Sequence, residues 1–493
     1  MDKLESKIPL GLTFDDCLLV PQHSNVASRS EIDLRTRFSR NVSLNIPIVT
    51  SPMDTVTEEA MAIEVARCGG LGILHRYNSI EDQVNMVKKV KRAESYIIRK
   101  PYTIHEKLTV AEVRDLIRQL NVNTFLVTEA FADFTLADHN FKLKLLGIIT
   151  ERDIRMAENG NQIVKELMTP LERLVVAKEG HISPQEAKKI MISKKIEKLP
   201  LIDSEGCIAG LITLKDICDR EKRPMANLDS QGRLVVGAAV GAKDDYLERA
   251  KKLIDAGVDV LVVDIANGHS KVCIDAVQAL KENFDIDVVA GSVATGEGAE
   301  NLIKAGADGI RCGIGSGSIC TTRLVAGAGV PQLSALFDCA PICKQYQVPL
   351  ISDGGNRNSG NMCKALAAGA DCIMLGRLVA GCDESPGKVL LKDGRRVKIY
   401  RGMAGYGANL AKAQKTASNE PNSLGFVPEG VEGYIPYTGP LRDVLNQFTG
   451  GIRSGMSYCG GFNIQEVQEK AKFIRLTQSA IYESGVHDIN KIM

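Results

Sequence analysis

Short, almost wholly apolar runs alternate with amphipathic stretches along most of this 493-residue chain. Val235-Val-Gly-Ala-Ala-Val-Gly241, Val260-Leu-Val-Val-Asp264, Val288-Val-Ala-Gly-Ser-Val-Ala-Thr295, Gly309-Ile-Arg-Cys-Gly313, Val348-Pro-Leu-Ile-Ser-Asp353 and Cys372-Ile-Met-Leu-Gly376 lack the polar alternation of a half-wet strand. They read as parallel strands buried on both faces. The stretches between them have helical periodicity: 244–256, with Leu247, Ala250, Leu253 and Ile254 on one face, then 297–305, 332–345 and 359–368. Three returns from helix to strand use one device, Ala256-Gly-Val-Asp259, Ala305-Gly-Ala-Asp308 and Ala368-Gly-Ala-Asp371, in which glycine ends the helix.

Nearer the amino terminus, Ile46-Pro-Ile-Val-Thr-Ser-Pro-Met-Asp54 leads into a helix over Thr57–Cys68, and Gly69-Gly-Leu-Gly-Ile-Leu-His-Arg76 into one over Ile80–Val90. Two units before an interruption and six after it make eight, which predicts an α/β fold, a (β/α)8 TIM barrel. An open doubly wound sheet is the rival, but no strand here is followed at once by a Gly-x-Gly-x-x-Gly fingerprint. On a barrel every loop after a strand lies on one face. Ser51-Pro-Met53, Asp264, Gly313–Arg323, Asp353 and Gly376 are therefore expected around a single site.

The interruption contains a repeat. Leu146-Gly-Ile-Ile-Thr-Glu-Arg-Asp-Ile154 recurs as Ala209-Gly-Leu-Ile-Thr-Leu-Lys-Asp-Ile217, each copy preceded by a helical stretch and an apolar strand. The Gly-x-x-Thr-x-x-Asp pattern resembles a tandem pair of cystathionine-β-synthase-type (CBS) modules, a Bateman domain. That resemblance implies purine nucleotides held at Thr150, Asp153, Thr213 and Asp216; the same residues are also good helix caps. The expected domains are 1–94 and 223–493 for the barrel, with 95–222 inserted as the CBS pair. Tyr400-Arg-Gly-Met-Ala-Gly-Tyr-Gly407 begins a Gly-, Ala-, Ser- and Asn-rich stretch read as a mobile flap over 400–430, with a plain surface excursion as the alternative. Leu441–Tyr458 and Ile464–Leu476 read as terminal helices.

Composition removes several classes of function. Lys+Arg (61) nearly balances Asp+Glu (60), so no whole-molecule field attracts nucleic acid, and any phosphate must be held by a local site. The 13 cysteines form no CxxC pairs and many lie in apolar runs, which fits reduced thiols in the cytoplasm better than a disulfide frame or zinc site. The amino terminus has no apolar leader, no apolar run approaches the ~20 residues that span a bilayer, and Lys491-Ile-Met493 departs from the Ser-Lys-Leu peroxisomal address, of which it is at most a degenerate form. A cytoplasmic protein without membrane or nucleic-acid partners is expected.

The chemistry concentrates in Gly313-Ile-Gly-Ser-Gly-Ser-Ile-Cys-Thr-Thr-Arg323. Alternate glycines let main chain approach a ligand, small hydroxyl residues offer donors to a phosphate, Cys320 is a nucleophile as its thiolate, and Thr322 is placed to relay a proton. A surface turn with an incidental thiol is the plain alternative. Together with Leu12–Pro21, Ser51-Pro-Met-Asp54, Glu197-Lys-Leu-Pro200, Ile351-Ser-Asp-Gly-Gly355 and Tyr400-Arg-Gly-Met403, this loop is similar to the inosine monophosphate (IMP) dehydrogenase and guanosine monophosphate (GMP) reductase superfamily over almost the full chain.

The resemblance implies that Cys320 attacks C2 of a purine monophosphate and that Thr322, bonded to Glu429, passes the proton. Asp353 would accept ribose hydroxyls. The 5′-phosphate would rest on main chain around Ser318, Gly355 and Gly376, with Tyr400 and Arg377 as donors and Ser51, Met53, Gly354, Gly402 and Met403 completing the substrate set. Asp264, Ala266, Asn267 and Gly313 would face the nicotinamide, and carbonyls of Gly315, Gly317 and Cys320 a monovalent cation such as K+. The resemblance further implies a homotetramer, with an octamer paired through the CBS modules as the alternative assembly.

One fork divides the superfamily. Dehydrogenases hydrolyse the covalent intermediate with an Arg-Tyr pair on the flap, whereas Lys415-Thr-Ala-Ser-Asn-Glu-Pro-Asn-Ser-Leu-Gly-Phe-Val-Pro-Glu-Gly430 contains neither residue. Asp264-Ile-Ala-Asn-Gly-His-Ser270, Thr295-Gly-Glu297 and Pro331-Gln-Leu-Ser-Ala335 are also reductase-like. The expectation is NADPH-dependent reductive deamination of GMP to IMP and ammonia, regulated by purine nucleotides at the CBS pair. Tandem CBS modules and Pro428-Glu-Gly-Val-Glu-Gly433 are dehydrogenase-like, and Phe426 stands where short reductases carry an Arg, so NAD-dependent oxidation of IMP to XMP is the alternative. A nucleotide sensor using the CBS pair alone ranks third.

Overall fold

The computed structural model describes residues 8–93, 97–99, 101–120, 122–129, 142–178, 180, 182–410 and 427–485. The chain forms two compact units, Met1–Ala93 with Met225–Met493, and Glu94–Pro224. In the first unit eight parallel strands close into a barrel: β1 (Ile48–Thr50), β2 (Leu71–Leu74), β3 (Gly237–Val240), β4 (Val260–Asp264), β5 (Asp287–Val293), β6 (Gly309–Cys312), β7 (Leu350–Asp353) and β8 (Cys372–Leu375). β2 pairs directly with β3, Gly237 opposite Ile73, so the ring closes across the point where the second unit is inserted.

Alternation along these strands builds two apolar layers. Val49, Leu71, Ile73, Ala239, Val260, Val262, Val289, Ile351, Cys372 and Met374 meet inside the barrel, while intervening positions such as Val240, Leu261, Val263, Val288, Ile310 and Ile373 pack with the surrounding helices. The Thr36–Arg37/Ser43–Leu44 hairpin plugs the end where the strands begin; Phe38, Val42 and Leu44 join the inner layer, and the Ser39 hydroxyl donates to Asp287 at 2.6 Å.

The repeated Ala-Gly-x-Asp boundary has a structural job. Gly257, Gly306 and Gly369 take φ of 92°, 103° and 106°, the left-handed turn after each helix. The aspartate two residues on then makes a reciprocal pair with the start of the preceding strand. Asp308 N donates to Val288 O at 2.7 Å and Val288 N to Asp308 Oδ2 at 2.9 Å; Asp371 pairs in the same way with Leu350, and Asp259 with Val236. These carboxylates pin strand starts on the face opposite the site. Burial pushes the Asp371 carboxyl up to about 6.

Two elements differ from the sequence reading. The helix expected over Ile464–Leu476 stops at Lys470, and Phe473–Arg475 is a strand antiparallel to Cys17–Leu19, Cys17 opposite Arg475. Edge-to-face packing of Phe473 on Phe337, centroids 5.2 Å apart, accompanies the extended backbone. Beyond β8, an antiparallel ribbon of Leu390–Lys392, Arg395–Arg401 and Glu432–Pro436 takes residues that sequence periodicity did not mark as strands. Its tight turn is Asp393-Gly394, both at positive φ. This ribbon carries the chain into and out of the stretch read as a flap, of which 411–426 lie outside the described residues.

The second unit contains two four-stranded sheets, and the sequence repeat is structural. Gly147–Thr150 leads into helix Glu151–Arg155, and Ile208–Thr213 into helix Leu214–Glu221, each strand antiparallel to the one before it. Among the described residues no helix is long and apolar enough to cross a membrane.

Candidate active site

The loop after β6 is shaped by contacts that exclude side chains. Gly313 has φ 145°, and a Cβ there would strike the Asp353 carbonyl oxygen; Gly354 has φ 91°, and a Cβ there would strike the Ser316 hydroxyl. Gln332 is the buried fastener: its Nε2 donates to Cys312 O at 2.9 Å and Ser352 Oγ at 3.2 Å, and its Oε1 accepts from Ser316 at 2.8 Å. The ends of β6 and β7 and the loop are thus held by one amide.

Cys320 is half-buried, its N–H bonded to Gly317 O at 3.2 Å. Its Sγ lies 3.1 Å from Thr322 Oγ1, which donates to Glu429 Oε2 at 2.7 Å. A hydroxyl has one proton, so with Thr322 donating to the carboxylate, its lone pairs face the thiol. Backbone pairing brings Glu429 there. Thr321 N donates to Glu429 O at 2.9 Å, Val431 N to Ile319 O at 3.1 Å, and Cys320 bridges Gly430. On the other side Glu429 N bonds Ala404 O and Gly402 N bonds Val431 O, while a Cβ on Gly430 would sit 3.2 Å from Gly402 Cα.

At the end of β8, Gly376 faces a converging group: a Cβ there would lie 2.8 Å from Tyr400 Oη, 3.2 Å from Met53 Sδ and 3.6 Å from Ser51 Oγ. Tyr400 is buried, and burial pushes its phenol up to about 12, against hydrogen bonds with Ser318 and the Arg377 backbone. It is therefore a neutral donor beside Gly376. The loop after β1 is tied to the same ribbon: Arg401 is ion-paired with Asp54, and Asp54 N lies 3.4 Å from Met403 Sδ.

Asp353, at the end of β7, is half-buried, and desolvation pushes its carboxyl up. Asp264, at the end of β4, accepts from Arg311 at 2.6 Å, and Ala266 and Asn267 beyond it are exposed. Arg323 packs against Gly315 and donates to Val330 O at 2.5 Å. Ser51, Met53, Asp264, Gly313, Cys320, Asp353 and Gly376 thus sit on strand ends and loops of one face of the barrel. Sequence reasoning gave no role to Arg311 or Gln332, and took Ser316 as a phosphate donor where the structure bonds its hydroxyl to Gln332. The available signals were an arginine inside the buried run Gly309-Ile-Arg-Cys312 and a polar residue opening the helix Gln332–Gln345.

In the second unit the four motif residues bond one another. Thr150 N and Oγ1 both donate to Asp153 Oδ2, at 2.8 and 2.7 Å, and Thr213 Oγ1 donates to Asp216 Oδ2 at 2.6 Å. Both pairs cap helices. Nearby, a cleft of about 550 Å³ is lined by Tyr102, Ile117, Arg118, Asn123, Lys198 and Thr213 among others.

Comparison with known proteins places this geometry. The family model described as "IMP dehydrogenase / GMP reductase domain" matches residues 11–487. A GMP reductase of Leishmania major is 49% identical over 98% of each chain, and an inosine-5′-monophosphate dehydrogenase of Nitrosopumilus maritimus is 47% identical over 97% of this chain and 98% of that one. The crystal structure of a cysteine-to-alanine variant of GMP reductase from Trypanosoma brucei, in complex with guanosine 5′-monophosphate, superposes with a TM-score of 0.90 at 47% identity, covering 99% of this chain and all of that one.

Proposed function

The chain belongs to the IMP dehydrogenase / GMP reductase family, and from that premise we propose that it converts GMP to IMP and ammonia at the expense of NADPH. The observation that carries this reading is the continuous line from Cys320 through Thr322 to Glu429 in a chain whose 415–430 stretch holds no Arg-Tyr pair to activate water. The thiol adds to C2 of the purine while the C2–N bond breaks. Its proton passes to Thr322 and Glu429 and leaves on the amine, so ammonia departs neutral and sulfur stays bonded to C2.

The other residues fix the nucleotide. Asp353 takes the ribose hydroxyls. The phosphate sits among the main chain of Ser318, Gly355 and Gly376, with Tyr400, Ser51 and Arg377 as donors, where a neutral phenol costs no charge repulsion. Gly354 and Gly402 leave room for the loop and ribbon to close on the base, and Met53 and Met403 supply an apolar wall. Asp264, Ala266, Asn267 and Gly313 would hold the nicotinamide cofactor, and the exposed rim at Ala266 and Asn267 fits that role. NADPH, when bound, supplies a hydride. Carbonyls of Gly315, Gly317 and Cys320 are hard donors of the kind a monovalent cation takes, and Gly317 O keeps a lone pair after accepting from Cys320; no step depends on that ion.

The second unit is the proposed regulatory part. Arg118 and Lys198 on the walls of its cleft suit an anionic nucleotide, and Tyr102 and Ile117 suit a base. A homotetramer, with octamers as the larger assembly, and a cytoplasmic location complete the proposal. Oxidation of IMP to XMP is the second reading, favoured by 47% identity to a dehydrogenase and by Pro428-Glu-Gly-Val-Glu-Gly433. Cofactor absorbance with each substrate pair separates the two.

A further inference from the structure

Asp264, Gly291 and Arg311 stand in register on three neighbouring strands, β4, β5 and β6, with Ile351 of β7 opposite Arg311. The glycine in the middle matters: a Cβ on Gly291 would lie 2.8 Å from Arg311 Cβ. Without it the arginine side chain reaches across β5 to Asp264, two strands away, at 2.6 Å. Its other terminal nitrogen lies 3.6 Å from Asp353 Oδ2 on β7. Arg311 is only 5% exposed, and its Nε is buried with no hydrogen-bond partner. One guanidinium with donor capacity to spare therefore stands between the carboxylate assigned to the nucleotide ribose and the one assigned to the cofactor.

We propose that Arg311 is a positioning residue shared by the two halves of the site, holding Asp353 as an ionised acceptor for the nucleotide while anchoring Asp264 beside the cofactor. This rests on the reading of the site given above. Its physical content is a balance of charges. Burial raises the Asp353 carboxyl, the Arg311 charge opposes that rise, and the Asp264 charge adds to it. Tyr400 from the ribbon and Cys312 from β6 are the other titratable groups that feel Asp353, and both are driven toward their neutral forms by burial or bonding. Asp264 has Arg76 at 4.0 Å as a second cation, with Cys273 and Tyr77 nearby. Asp353 has no comparable second cation among these, so it depends on Arg311. A protonated carboxyl loses acceptor capacity toward two hydroxyls.

The test is binding of IMP to the full-length protein by calorimetry from pH 5.5 to 8.5, for wild type, Arg311→Met, Arg311→Lys and Asp264→Asn. IMP is a ligand of both reactions in the family, so absence of binding by the unaltered protein would take down the reading of the site itself before any variant is compared. The ligand phosphate titrates in every sample, so the variant-to-wild-type affinity ratio is the quantity read. An opposite charge at this range lowers a carboxyl by about 1–3 pH units, so the Arg311→Met ratio should worsen about tenfold or more between pH 8 and pH 6. Arg311→Lys should restore most of the loss. Asp264→Asn, which keeps Arg311 and removes the opposing charge, should move the acid limb to lower pH, and decides the matter if Arg311→Met does not fold. A ratio independent of pH for Arg311→Met, or an unmoved limb in Asp264→Asn, overturns the proposal.

Discussion

Thr322 and Glu429, 107 positions apart, share a 2.7 Å hydrogen bond, and the Cys320 thiol lies 3.1 Å from the same hydroxyl. A path of this kind works only when both of its members are present. Thr322→Ala or Glu429→Gln should each lower kcat by about 10²–10⁴, and the double variant should be hardly slower than the worse single one. Losses that multiply strictly would show that the two residues act separately.

The aspartates on the opposite face give a stability prediction. Asp371 has a folded-state value raised to about 6 by burial, against 3.8 for the free side chain. Between those values the native state keeps a proton that the unfolded state releases, so stability falls as pH rises from about 4 to 6. Asp371→Asn retains an oxygen for the Leu350 N–H and removes the charge. Melting curves should show the variant gaining on wild type by up to about 3 kcal/mol from pH 4 to pH 7. A difference that does not change with pH would contradict this.

The inserted unit should be dispensable for chemistry. Deleting 95–222 and rejoining the barrel with a short linker leaves turnover in place and removes any response to ATP, GTP or GMP. Lys198→Ala in the full chain, on the cleft wall, weakens the same response without lowering basal turnover. Nucleotide regulation that survives both changes would place the effector site elsewhere.

How legible the protein was in its sequence follows from which interactions are local. The barrel was readable because strand, helix and Ala-Gly-x-Asp boundary recur within short windows, and the eight strands fall where the apolar runs do. The ribbon was not, because the buried positions of Arg395–Arg401 are Lys398 and Tyr400 while Ile399 is exposed, which reverses the apolar-inward pattern, although Lys392-Asp-Gly-Arg395 carries a hairpin turn signal. Helical periodicity continued past Lys470, and only pairing with Cys17–Leu19, from the other end of the chain, explains the strand. Cys320 announced itself by its neighbours in sequence. Arg311 and Gln332 did not, since the groups they serve lie on other strands and loops.

The central claim is best tested with one spectrophotometer and two substrate pairs. Supplied with GMP and NADPH, the protein should consume absorbance at the reduced-nicotinamide band and release ammonia in equal amount, and Cys320→Ala should abolish both. Supplied with IMP and NAD, it should produce almost no reduced cofactor, because unassisted attack of water forfeits the ~10²–10⁴-fold that a general base contributes. Sustained reduction of NAD with IMP, and no GMP-dependent oxidation of NADPH, would contradict the account and assign the chain to the oxidative branch of its family.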